Sequence, residues 1–281
     1  MKTTGFIFAV LLFATTITNA QWSGGLKINL GTGGIHSSNL ENNLNFQNNF
    51  DAKITSWTID QHNGFVFGFG GFAAYSFSER FSLLTEPGIH FLKCGIDFTR
   101  QENDVDINGN GTIKTETTES DITLTYFSLP FLARYEFASK FYLLGGLGIN
   151  FTGAPGIIST AFSQKDEYKN GALDKTTIDP RYALDTRLNV FDSPRFDFVF
   201  GIGKSFEVSG KALNIDIRYN LPLTNSEMFT TDSYYNDGHF KHNNFLGLDG
   251  KYDAEKNAPY LLNDFKMSVL NVSIALTLFK K

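Results

Sequence analysis

The chain has one cysteine, Cys94, in 281 residues, so no disulfide can form within it. A lone thiol in such a chain reads as a small packing residue. No cysteine follows the small-residue motif near the N-terminus, which argues against a lipid-anchored lipoprotein. Basic runs are missing as well. The 24 basic side chains stand against 29 acidic ones, a formal charge of −5, so nucleic acid is not an expected partner. Past the N-terminal segment, no apolar run approaches the roughly 20 residues that a membrane helix needs. With a mean hydropathy of −0.15, this excludes a polytopic helical membrane protein. What the chain does have is phenylalanine, 29 residues of it, together with 26 glycines.

The N-terminus carries the three parts of a secretory signal: Lys2, an apolar stretch over residues 5–17, and Thr18-Asn19-Ala20 as a small-x-small cleavage site. The expected division is a signal peptide over 1–20 and a single barrel domain over 21–281. Losing Lys2 leaves 23 basic against 29 acidic side chains and a charge of −6.

One hairpin is written twice, sixty positions apart. Tyr75-Ser-Phe77-Ser-Glu-Arg80-Phe81-Ser-Leu83-Leu84 recurs as Tyr135-Glu-Phe137-Ala-Ser-Lys140-Phe141-Tyr-Leu143-Leu144, and Gly88-Ile89-x-Phe91 recurs as Gly148-Ile149-x-Phe151. Each copy alternates large apolar residues with small or polar ones, so one face of each strand meets an oily medium. The same alternation predicts eight strands near 24–32, 64–77, 80–98, 121–137, 140–153, 194–208, 211–223 and 265–280. In the fourth, Phe127, Leu129, Phe131, Ala133, Tyr135 and Phe137 oppose Tyr126, Ser128, Pro130, Leu132, Arg134 and Glu136.

Tight turns at Ser78-Glu79-Arg80, Ala138-Ser139-Lys140 and Ser209-Gly210-Lys211 alternate with long loops over 33–63, 99–120, 154–193 and 224–264. The predicted fold is therefore all-β: an eight-stranded antiparallel transmembrane β-barrel. Short turns and both termini face the periplasm, and long loops face outward from the outer membrane. Pro87 and Pro130 fall inside strands, which predicts a bulge near each. A soluble β-sandwich or lipocalin-like barrel, with its apolar face inward, is the rival. Against it stand the strand lengths, the aromatic brackets around the turns, and small residues such as Gly68, Gly70, Gly146, Gly148, Gly201 and Gly203 on the second face.

Several motifs carry a family resemblance. They are Glu86-Pro87-Gly88-Ile89, Tyr126-Phe-Ser-Leu-Pro130-Phe-Leu-Ala-Arg134-Tyr135, Phe141-Tyr-x-x-Gly145-Gly-x-Gly148, Asp197-x-x-x-Gly201-x-Gly203 and Leu213-x-x-Asp216-x-Arg218-Tyr219-Asn220. On these the chain resembles the PorT-type outer-membrane β-barrel family of Gram-negative bacteria, over nearly all of the barrel but not its long loops. The resemblance implies an eight-stranded outer-membrane barrel. It implies no single activity, since a few members serve secretion or gliding machinery and most have no assigned role.

The register places Lys27, Glu86, Arg134, Glu136, Asp197, Glu207, Asp216 and Arg218 inside the barrel, where eight strands leave room for little but side chains. Charges there are expected to pair into a network that plugs the lumen. Three bases against five acids leave an acidic surplus, partly relieved where Glu207 reaches periplasmic water. The functional alternative is a narrow ion path or gate. No Ser, His and acid stand at a spacing that suggests hydrolysis; His90, on the lumen register near Glu86, reads as a hydrogen-bonded interior residue.

In the second loop, Asp104, Asp106 and Asn108 match the first ligands of a calcium loop, followed by Gly109. Thr115 occupies the place of the closing glutamate, so an ordinary turn is the first reading and weak calcium binding the second. No other cofactor is expected. The fourth loop holds His239 and His242 near Asp237, Asp249 and Asp253, a hydrated tip or a divalent-metal site, and is rich in tyrosine. The functional expectation is a non-enzymatic, monomeric scaffold in contact with outer-membrane lipid and lipopolysaccharide. Its outer loops bind an extracellular ligand or a membrane-protein partner. A narrow channel or secretion accessory is the first rival and a lipid-modifying enzyme the second.

Overall fold

Period-2 alternation settles which face of each strand meets lipid, and hydrogen bonding then closes the strands into a ring. The computed structural model describes residues 21–36, 54–153, 156–179, 182–186, 194–224, 242–243, 248–249 and 266–280. The expected signal segment, most of the first loop and most of the tyrosine-rich fourth loop lie outside these residues.

The barrel wall consists of β1 (Gln21–His36), β2 (Ile54–Ser76), β3 (Phe81–Thr85) with β4 (Gly88–Val105), and β5 (Gly111–Glu136). It continues with β6 (Phe141–Thr152) and, after β7 (Gly156–Lys169), β8 (Ala172–Ile178) and β9 (Tyr182–Thr186), which lie outside the ring, with β10 (Arg195–Val208) and β11 (Lys211–Pro222). A two-residue pair, β12 (His242–Asn243) and β13 (Leu248–Asp249), precedes β14 (Lys266–Lys280). Counting β3 and β4 as one interrupted strand, eight antiparallel strands pair in the order β1-β2-β3/β4-β5-β6-β10-β11-β14, and β14 closes on β1. Ser23 pairs with Lys280, so both ends of the described barrel lie at the turn end.

The apolar face points outward. Phe65, Phe69, Phe131, Phe196, Phe198, Phe200 and Leu270 are exposed, while Val66, Leu132, Asp197, Val199 and Asn271 on the alternate positions are buried. This is the reverse of a lipocalin and the pattern of a barrel in lipid. The two copies of the repeated hairpin close with the same bond, Phe77 N–H donating to the Phe81 carbonyl at 3.0 Å and Phe137 N–H to that of Phe141 at 2.8 Å, although Ser139 and Lys140 have positive φ and Glu79 and Arg80 do not. Their rings, with Trp22 packed 4.9 Å from Tyr75, make an aromatic girdle at the turn end.

The expected bulges at the prolines are not present. Ala73 faces Thr85 before the β3/β4 break and Gly70 faces Gly88 after it, so the register runs through unchanged. Pro130 pairs with Gly148 between regular neighbours. Each proline withholds one ladder donor and shifts nothing: Gly71 N–H still donates to the Pro87 carbonyl at 3.0 Å. The bulges fall elsewhere, at Gly24/Gly25 in β1, and at Ile54/Ser56 and between His62 and Phe65 in β2. A further irregularity lies between Glu167 and Tyr168 of β7.

The second expected loop, 99–120, is mostly strand. β4 and β5 stay paired from Gly88↔Ser128 to Val105↔Gly111, leaving a turn of five residues. β7 pairs with the outer part of β5 from Thr123 to Gly111, and β8 and β9 pair with β7. The outer parts of β2, β4 and β5, with β7 to β9, thus form a sheet rising past the barrel on one side. At about 3.3 Å per residue, the stretch of β4 from Gly95 to Val105 alone reaches roughly 30 Å.

Candidate functional site

Two features of this architecture carry chemistry: the lumen and the raised sheet. The lumen is divided along its length. Its loop-end half is lined by Ile35, Val66, Leu92, Ile96, Ile122, Leu124, Met267 and Val269, each 2 % exposed or less, and also encloses the buried Arg195, Asp197 and Asn150. Its turn-end half is polar and opens as a vestibule of about 920 Å³ whose lining reaches Glu86, Arg134, Tyr142, Asp216 and Arg218.

At the head of the vestibule Glu86, in the break between β3 and β4, gathers two cations. Lys27 of β1 donates from Nζ to Oε2, and Arg218 of β11 donates from Nη1 to Oε2 and from Nη2 to Oε1, the last at 3.0 Å. Arg218 also binds Asp216 through Nε and through Nη2, the latter at 3.0 Å. The Tyr142 hydroxyl donates to Asp216 Oδ2 at 2.8 Å. Below it, the Arg134 guanidinium lies 3.8 Å from the Tyr142 ring centre. Arg134 donates to Glu136 at 2.8 Å, to Ser205 Oγ at 2.7 Å and to Asn214 Oδ1 at 3.2 Å. One connected network therefore ties together strands from around the wall.

A second pair sits apart: Arg195 lies 3.6 Å from Asp197, which accepts a bond from Asn150 Nδ2 at 2.6 Å. Arg195 was not among the lumen charges read from the sequence, although it stands two residues from Asp197 on the same face. Glu207 lies at the exposed rim, 3.7 Å from Lys140. The expected acidic surplus is thereby corrected. Among the described residues, Lys27, Arg134, Arg195 and Arg218 balance Glu86, Glu136, Asp197 and Asp216 inside the barrel. Neutrality follows from burial, since an unmatched charge in so narrow a space would cost several kcal/mol, on the order of a broken buried pair.

Small lumen residues make room for the large ones. A Cβ at Gly203 would stand 2.5 Å from the Tyr142 ring and from Asp216 Cβ, and one at Gly68 would meet His90 Nδ1 at 2.4 Å. His90 stacks on Tyr126 with ring centres 5.0 Å apart, so its contact is aromatic rather than catalytic in form.

The raised sheet is built differently. Its two hairpin tips are joined, with Gly171 N–H donating to the Gly109 carbonyl and Asn170 N–H to Asn110 Oδ1, both at 2.9 Å. Ile107 stands fully exposed at the top, and Leu173 and Ile178 of β8 are also exposed. Of the three residues matched to a calcium loop, Asp104 ends up in β4. Asp106 accepts the N–H groups of Asn108 and Asn110 at 2.9 and 2.8 Å, which is an Asx turn. Those N–H donors, Asn110 foremost, hold the Asp106 carboxyl below its ordinary range. The three side chains are thus parts of a hairpin tip, and among the described residues no group of three or more His, Cys, Asp and Glu is placed to hold a metal. In the fourth loop His242 pairs with Asp249 in the short β12–β13 ladder, while His239, Asp237 and Asp253 lie outside the described residues.

Residues 19–227 match the family model described as outer membrane protein beta-barrel domain. No curated protein matches the chain. Three solved structures are similar in fold. The attachment invasion locus protein Ail of Yersinia pestis is 10% identical, with 92% of this chain and 98% of that one covered, at a TM-score of 0.31. Neisserial surface protein A is 8% identical over 92% and 98%, at 0.33. OprG of Pseudomonas aeruginosa is 10% identical over 93% and 95%, at 0.34.

Proposed function

The chain belongs to the outer membrane protein beta-barrel domain family, and on that premise we propose that it is a non-enzymatic scaffold whose outer surface binds a partner or surface ligand. The observation that carries this reading is the raised sheet. A barrel needs strands only long enough to cross the membrane, yet β4 and β5 continue in register to Val105↔Gly111, and a second hairpin is tied to their tip. Ordered structure held well clear of the membrane, with an exposed isoleucine at its summit, suits recognition. The balanced charges and the close filling of the lumen support a plug rather than a path for solutes.

In this reading the segment over 1–20 is a cleaved signal and the turn end, with both termini, faces the periplasm. The PorT-type motifs support membership of that group, and the protein acts as a monomer among outer-membrane lipids and lipopolysaccharide. The test is a photo-crosslinking amino acid at Ile107 in living cells, compared with one at lipid-facing Phe198. The expected result is a discrete protein or saccharide adduct from position 107 only. Absence of adducts at 107, together with ion conductance of the purified protein, would favour a channel.

A further inference from the structure

The raised sheet has an electrostatic weak point at its root. Asp60 of β2 pairs directly with Asp97 of β4, and Asp97 pairs directly with Glu119 of β5, so three carboxylates face one another across adjacent strands. Like charges directly opposite one another destabilise a sheet. Among the described residues, His62, a cation when protonated, places its Nε2 2.9 Å from Asp97 Oδ2 and 3.9 Å from Asp60 Oδ2. The remaining charged pair on that patch, Lys93 and Asp121, is closed on itself at 3.1 Å. On β1, the ring of His36 and the amide of Asn63 both border the space beside Gly34.

The location gives the pair its consequence. His62 is the last residue of β2 before the bulge that ends at Phe65, where the strand emerges from the barrel. Inside that point β2 is held by β1 on one side and by β3 and β4 on the other. Beyond it, over Ile54 to His62, the described pairing is with β4 alone. The segment is thus held by one ladder with a row of like charges along it.

We infer that His62 is a pH-sensitive clamp: protonated, it holds the outer segment of β2 on β4, and on losing its proton it lets that segment separate from the raised sheet. The hydrogen bond to Asp97 raises the proton affinity of His62 above its ordinary value, and Asp60 adds to the effect. Because the folded-state affinity is raised, the stabilisation is complete at pH values below the free histidine pKa. It is lost as pH rises through the folded value.

The experiment uses the mature chain refolded in lipid nanodiscs, with folding verified by heat-modifiable gel mobility. Amide exchange over residues 54–62 is compared with that over 65–76 at about pH 5.5 and about pH 8, corrected for intrinsic exchange. The expected result is selective loss of protection over 54–62 at the higher pH, tenfold for each unit by which the His62 pKa exceeds its free value. His62→Lys, which stays charged throughout, keeps the segment protected at both pH values, and Asp97→Asn lowers the His62 pKa read by NMR. The inference is overturned if His62→Lys shows the wild-type pH response, or if His62 titrates at or below the free value.

Discussion

Glu86 and Arg218, 132 residues apart in sequence, meet across the lumen with both guanidinium Nη groups on one carboxylate. The carboxylate sits where the wall is weakest. Glu86 lies in the β3/β4 break beside Pro87, which has no N–H to give to the ladder, and opposite Pro130, which has none either. The ladder bonds missing around Glu86 are answered by its own side chain, which ties this strand to β1 and β11. The proline positions that look hazardous in the sequence are thus tolerable because the lumen network holds the wall together at the same place.

Removing that carboxylate is therefore expected to be costly. Glu86→Gln leaves Lys27 and Arg218 buried without a full counter-charge and should lower unfolding stability by about 3–5 kcal/mol. Urea unfolding of the refolded barrel, followed by heat-modifiable mobility, measures it. A combined replacement of Lys27, Glu86 and Arg218 by Met, Leu and Leu should recover much of the loss, because the buried cations are removed together with their counter-charge. An unchanged midpoint for Glu86→Gln would show that the network contributes nothing to stability.

The lumen should not conduct. The vestibule ends at the charge network, and the half beyond it is filled by Val66, Leu92, Ile122 and Leu124, all 0 % exposed, together with the buried Arg195–Asp197 pair. Planar-bilayer recordings of folded protein should be silent. Arg134→Gln should remain silent while unfolding more readily, since it keeps some donors but loses the ion pair with Glu136 and weakens the stacking on Tyr142. Reproducible current steps from either protein would make the network a gate.

Most of the barrel was legible from alternation because lipid outside and a packed polar lumen inside give each strand strong contrast. Phe196, Phe198 and Phe200 against Asp197, Val199 and Gly201 leave no doubt about the face. The raised sheet was not legible as strand. Around Thr115-Glu116-Thr117-Thr118-Glu119-Ser120 both faces are polar, so the period vanishes although the pairing continues. Arg195 could have been found from its place two before Asp197. The β2 bulge had a signal in Asn63-Gly64, where a Cβ on the glycine would stand 1.5 Å from the Lys93 carbonyl oxygen.

Two glycines should respond to the same substitution for different reasons. Gly210 has φ +73 at the β10–β11 turn and nothing within 4 Å of where a methyl group would stand, so Gly210→Ala meets only backbone strain. The expected loss is about 1–2 kcal/mol. Gly203→Ala puts a methyl into the Tyr142 ring and Asp216, an overpacking cost of about 1–3 kcal/mol with added disturbance of the network. Tyrosine-ring NMR shifts of Tyr142 are the discriminating readout. They should move in Gly203→Ala and stay in place in Gly210→Ala.

The hairpin tip offers the last test, and its sign follows from Asp106. Backbone N–H groups of Asn110 and Asn108 favour the ionised carboxylate and hold its pKa below the ordinary range. A lowered folded-state pKa gives stability that is present above the free carboxylate pKa and lost as pH falls through the folded value. Acidification should therefore fray the 106–110 turn. Asn110 and Gly109 hold the Asn170–Gly171 turn, so the second tip should loosen with it. Amide exchange at Asn108, Asn110 and Gly171 measures this, and Asp106→Ala should give the same loss at neutral pH while leaving the barrel amides protected. Calcium titration separates the two readings of Asp104, Asp106 and Asn108. An Asx turn predicts unmoved amide shifts at Asn108 and Asn110, whereas a saturable shift at both would establish the ion site in place of a purely backbone-capping role.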